Sequence, residues 1–109
     1  MTETEFLERS TTILDSLESQ SDDWVSLYDL DIEAERSGNV LTLIFDDAIH
    51  VVINSQAPMQ EMWVAARSGG FHYRFDGARW NDTRGGPALA EALSQIFSEA
   101  SGHPIKVAL

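Results

Sequence analysis

The sequence predicts a single α+β domain. Its form is a two-layer sandwich, with an antiparallel sheet of about six strands carrying an N-terminal and a C-terminal helix on one face. Three observations predict it. Apolar residues recur with helical period at both ends of the chain and alternate with period two between them. The alternating stretches are joined by turns too short for parallel crossovers. A length of 109 residues, 43% hydrophobic and 9% aromatic, supports one compact core and leaves little room for a second domain.

Residues 3–21 read as an amphipathic helix in which Phe6, Ser10, Ile13, Leu14 and Leu17 form the buried stripe. Thr2 or Thr4 can cap it, and acids in the first turn face the positive end of its dipole. Glu8, Asp15, Glu18 and Asp22 fall within roughly 80° of one another on the opposite face. Asp22 and Asp23 sit near the helix C-terminus, where negative charge is unfavourable. Residues 27–35 read as a strand. Leu30, Ile32 and Ala34 face the core, and Asp29, Asp31, Glu33 and Glu35 share the other face, roughly 7 Å apart.

A Ser37-Gly38-Asn39 turn leads into a strand over 40–45, and a tight Asp46-Asp47 turn joins it to a strand over 50–54. Asn54 to Pro58 read as a turn, since Pro58 restricts Ala57 to extended conformations. A strand over 60–66 points Met62 and Val64 inward and Glu61, Trp63 and Ala65 outward. Gly69-Gly70 reads as a hairpin turn before strands over 71–75 and 79–82, which flank an Asp76-Gly77 turn. Pro87 fits the first turn of a second helix running to Ser101, with Leu89, Leu93, Ile96 and Phe97 as its stripe. Gly102 fits the left-handed residue that ends it, and the apolar tail from Ile105 packs back on the body.

The net charge is −11, and it belongs to one half of the chain: residues 1–47 hold thirteen acids against Arg9 and Arg36, whereas 48–109 hold five of each sign. A pI near 4.4 argues against nucleic acid, whose phosphates would be repelled, and points to cationic partners, either metal ions or a basic protein surface. The absence of cysteine excludes disulfides, zinc knuckles, iron–sulfur ligation and thiol catalysis. No apolar run is long enough to span a bilayer, and the acidic N-terminus lacks the basic region of a signal peptide. A cytoplasmic protein is therefore expected.

No phosphate-binding loop, dinucleotide fingerprint or nucleophile elbow occurs, and His50, His72 and His103 have no metal-ligand spacing. A lone strand histidine such as His72 is more often structural than catalytic. The chain is expected not to be an enzyme. Carboxylate-only sites suit hard or borderline cations such as Ca²⁺, Mg²⁺, Mn²⁺, Fe²⁺ and Fe³⁺, held openly and weakly. An exposed Trp63 on the uncovered sheet face is the kind of residue enriched at interaction hot spots, although packing against Phe71 or Tyr73 would also account for it.

The run from Ile53 through Asn54, Gln56, Pro58, Glu61, Met62, Trp63 and Val64 to Ala65, followed by Gly69-Gly70-Phe71-His72-Tyr73, resembles the signature of the frataxin family. More narrowly it resembles the bacterial, CyaY-type branch. Glu5-Phe6, Asp22-Asp23-Trp24, Asp29-x-Asp31-x-Glu33, Gly38-x-Val40-Leu41-Thr42, Trp80 and Arg84 extend the match over the whole chain. The resemblance implies a frataxin-like fold. It implies weak binding of iron, as Fe²⁺ or Fe³⁺, with other divalent cations able to substitute, and a part in iron–sulfur cluster assembly beside the cysteine desulfurase and its scaffold protein.

By carry-over, Glu18, Asp22, Asp23, Asp29, Asp31 and Glu33 would hold metal, and Asp22, Asp23, Asp29, Asp31 and Trp63 would meet the partners. The protein would act as a monomer. It would be an iron-dependent regulator of the desulfurase and a candidate iron donor. Ser19, Val25 and Leu27 stand where bacterial relatives often carry acids, so this ridge is thinner. Leu7, His50, Ala88 and Leu89 also depart from the family pattern. Charge asymmetry alone fits an acidic inhibitor or mimic that blocks an unrelated basic protein equally well, and a weak ferroxidase oxidising Fe²⁺ at carboxylates is a further reading. The ferroxidase lacks the Glu-x-x-His pairs of di-iron sites.

Overall fold

The computed structural model describes residues 1–109. Helix α1 (Glu3–Tyr28) is followed by strands β1 (Ile32–Ser37), β2 (Val40–Phe45), β3 (Ile49–Gln56), β4 (Glu61–Ala66), β5 (Gly69–Phe75) and β6 (Trp80–Asp82), and by helix α2 (Leu89–Ser101). The six strands form one sheet in sequence order, every neighbour antiparallel, as short turns require. Both helices supply the residues that cover one face, which gives the predicted two-layer α+β sandwich.

Period-two alternation sets the core. Leu41, Leu43, Phe45, Ile53 and Met62 point from the sheet into the interior and are completely buried. They meet Phe6, Leu14, Leu17 and Trp24 of α1 and Leu89, Leu93 and Phe97 of α2. Ser10 and Ser21 are buried on the α1 stripe because each hydroxyl donates to a carbonyl three residues back, Leu7 and Glu18. The tail packs back as predicted, with Ile105 and Val107 buried and Gln20 bonded to both backbone groups of Ala108.

Several boundaries differ from those expected. Helix α1 runs to Tyr28 rather than 21, because Ser21 and Trp24 continue its buried stripe past the Asp22-Asp23 pair. The first strand therefore begins at Ile32, and Asp29 and Asp31 lie outside it. Asn54 to Gln56 belong to β3, and the chain turns through a 3₁₀ segment, Ala57–Met59, that ends in a left-handed Gln60. The β4–β5 turn is Arg67-Ser68. Gly69-Gly70 opens β5, where Gly69 takes φ +136°, a conformation strained for any side chain. Pro87 precedes α2 by two residues. The Asp46-Asp47 turn is as expected: both residues have positive φ (53° and 58°), and Ala48 N–H donates to Phe45 C=O, the twist-matched hairpin geometry.

Candidate functional site

The acidic ridge is built where α1 ends and β1 begins. Asp22 and Asp23 are exposed on the last turns of α1, which contain no base to offset the negative end of the helix dipole. Asp29 terminates the helix in the left-handed region (φ 54°, ψ 45°), a conformation Asp tolerates better than most residues. Asp31 is exposed just before β1, and Glu33 is exposed on β1, paired in register with Ile44. None of these five carboxylates forms a salt bridge.

Glu18 stands apart. Arg36 lies on β1 in phase with Ile32 and bonds across to α1, donating to Glu18 at 2.6 Å and Asp15 at 2.9 Å. Burial alone would lower the guanidinium pKa, but the bonds to Asp15 and Glu18 outweigh it, and the pKa is raised. The strand face expected to be apolar thus carries one cation that neutralises part of the helix acids.

Two acids join the ridge that sequence reasoning left out. Asp46 N–H donates to the Asp31 carbonyl at 3.0 Å, bringing the Asp46-Asp47 turn against the start of β1. The β1–β2 register contains the signal, since Ile32 pairs with Phe45 and residues 31 and 46 follow next to each other. No three His, Asp or Glu side chains converge closely enough to hold one ion together. Separated carboxylates of this kind can attract a hydrated oxygen-seeking cation through their summed field without enclosing it.

A second cluster lies on the sheet face away from the helices. The Trp63 and His72 rings, on paired residues of β4 and β5, stack with centroids 4.2 Å apart and planes 6° from parallel. The neighbouring pair is Glu61 and Arg74. The Glu61 carboxylate accepts from Trp63 Nε1 at 2.9 Å and Arg74 Nε at 2.7 Å, and His72 Nδ1 is 3.6 Å away. Glu61 was expected to point outward, and in phase it does, yet its neighbours leave it only 4% exposed. Trp63 is half-buried and packs on His72 rather than on Phe71 or Tyr73.

A groove of about 820 Å³ between α1, the β5–β6 end and the start of α2 is lined by none of the predicted site residues.

Known proteins resemble this chain along its length. The family model described as Frataxin-like domain matches residues 1–103. The Iron-sulfur cluster assembly protein CyaY of Bordetella petrii is 69% identical over 109 residues, covering 100% of both chains. The protein of that name from Janthinobacterium sp. is 48% identical over 106 residues, covering 96% of this chain and 95% of its own. Among solved structures, frataxin from Psychromonas ingrahamii superposes with a TM-score of 0.79 at 25% identity, covering 100% of both chains. A trimeric frataxin of Saccharomyces cerevisiae, complexed with ferrous iron, superposes with a TM-score of 0.73 at 25% identity over 85% of each chain.

Proposed function

The chain belongs to the frataxin-like family, and we propose that it serves iron–sulfur cluster assembly as an iron-binding, iron-dependent regulator of the cysteine desulfurase. The observation that carries this reading is the succession of five exposed carboxylates without salt-bridge partners, Asp22, Asp23, Asp29, Asp31 and Glu33, along the α1–β1 junction. Like charges at this density repel one another, and a cation or a basic protein surface relieves the repulsion. Iron is the cargo and signal here. Bound weakly on oxygen, it removes part of the ridge charge and so tunes docking on a basic face of the desulfurase.

Glu18 contributes least, because Arg36 already holds it. Trp63 supplies the contact on the sheet face to the scaffold protein. The acting unit is a monomer in the cytoplasm, and it works by binding and by handing on iron rather than by catalysis.

The test titrates Fe²⁺, and separately the cysteine desulfurase, into the ¹⁵N-labelled chain. Both should broaden or shift amides of residues 18–33 and leave those of 90–100 unchanged. Broadening spread evenly over the chain would remove the site assignment. Loss of the desulfurase effect at low salt would favour an acidic mimic of some other ligand.

A further inference from the structure

We infer that Glu61 is a positioning residue: its buried carboxylate fixes the indole of Trp63 against His72 and presents the ring in one pose to the scaffold protein on the open sheet face. The inference deepens the proposed function and rests on it only for the identity of the docking partner.

The geometry supports each step. A tryptophan on an uncovered strand has rotameric freedom, and a contact surface loses affinity to the entropy of freezing it. Here the ring is held at two points. One face lies parallel on His72 at 4.2 Å, and the indole N–H is spent on Glu61 at 2.9 Å. Stacking alone allows the ring to slide or flip. A directed hydrogen bond at one edge does not, and a charged acceptor makes that bond about twice as strong as a neutral one. The carboxylate can remain charged at 4% exposure because Arg74 bonds its second oxygen at 2.7 Å and the Trp63 indole N–H bonds its first at 2.9 Å. The same four side chains would serve no purpose in the helix-facing core, which lies on the other face of the sheet. Their order comes at the cost of burying a carboxylate, which an outward-facing position does not otherwise require.

The test uses the full chain with Glu61→Leu and Glu61→Gln. The Trp63 indole N–H is assigned in the ¹⁵N spectrum by its loss in Trp63→Phe. In Glu61→Leu that proton should shift toward the solvent-exposed position and exchange with water about tenfold faster, because its acceptor is gone. Glu61→Gln keeps an acceptor oxygen and should restore most of the protection, including where Glu61→Leu folds poorly. Affinity for the desulfurase–scaffold complex should fall in the same order, parent above Gln above Leu. An unchanged indole resonance and exchange rate in both variants would overturn the inference. If the indole responds while Trp63→Ala binds the complex as the parent does, the positioning stands, and the assignment of Trp63 as the scaffold contact is what fails.

Discussion

At Glu61, burial and charge act in opposite directions. Burial alone would raise the carboxyl pKa, but the bonds from Trp63 and Arg74, with the charges of Arg74 and His72, outweigh it and hold the pKa below the ordinary 4.5. A group whose pKa is depressed on folding contributes stability that is present above its unfolded pKa. That contribution is lost as pH falls through the folded value. The parent should therefore be more stable than Glu61→Gln near neutral pH, and the gap should close below about pH 4.5 as both side chains become neutral. Urea unfolding of the two proteins at about pH 7 and about pH 3 measures it. A gap of constant size would mean that the charge of Glu61 is not what its neighbours stabilise. Arg36 poses the milder case: Glu18 and Asp15 remain 37% and 64% exposed, so the bridge from β1 to α1 is worth about 1 kcal/mol or less.

Helix α1 carries its conflict at one end. Its last turns hold Asp22 and Asp23 and no base, and Asp29 closes it in a left-handed conformation that glycine takes without strain. Asp29→Gly should raise stability by about 0.5–1 kcal/mol, relief of strain and of charge outweighing the extra freedom of an unfolded glycine. Asp29→Asn, which tolerates the same backbone, should recover only the electrostatic part. Both should bind Fe²⁺ more weakly, and thermal unfolding with iron titration separates the two effects; a destabilised Asp29→Gly would show that the Asp side chain supports the cap. The same helix shows what its sequence disclosed. The Phe6-to-Leu17 stripe was legible because burial follows period. The true end was not, because an acidic pair looks like a terminus, whereas the buried stripe continues to Trp24. Alternation showed that the strands exist but not where each begins: β1 starts at Ile32 rather than 27, with Ala34 exposed instead of in the core, Asn54 to Gln56 extend β3 instead of turning, and Gly69-Gly70 open β5. Glu61 escaped notice because cross-strand neighbours bury it on the outer face, and period two marks only the side that meets the helices.

Across the whole molecule the charge is polarised. The acids at the end of α1, on β1 and in the β2–β3 turn lie toward the β1 edge of the sheet, whereas Glu5 and Glu8 of the first turns of α1 line the groove at the β5–β6 end, and Arg67, Arg74, Arg79 and Arg84 lie on or beside strands β4 to β6. The body measures 40 × 27 × 21 Å. At about 10 mM salt the screening length is roughly 30 Å, so the thirteen acids of residues 1–47 repel one another across the entire acidic half. At about 150 mM it is roughly 8 Å, and only immediate neighbours still interact. Raising salt over that range should therefore raise the melting temperature. A relief of about 1 kcal/mol corresponds to about 4–8 °C in a domain of this size. Millimolar Mg²⁺ or Ca²⁺ at constant ionic strength should add to it, because a cation that binds the folded ridge and not the unfolded chain stabilises by mass action. Changing Asp22, Asp23, Asp29 and Asp31 together to Asn should raise the melting temperature at low salt and remove most of the response to both salt and divalent ions. A melting temperature flat in salt for the parent would mean that the ridge carboxylates do not strain the fold. The relief of repulsion on docking would then be too small to drive recognition of a basic partner.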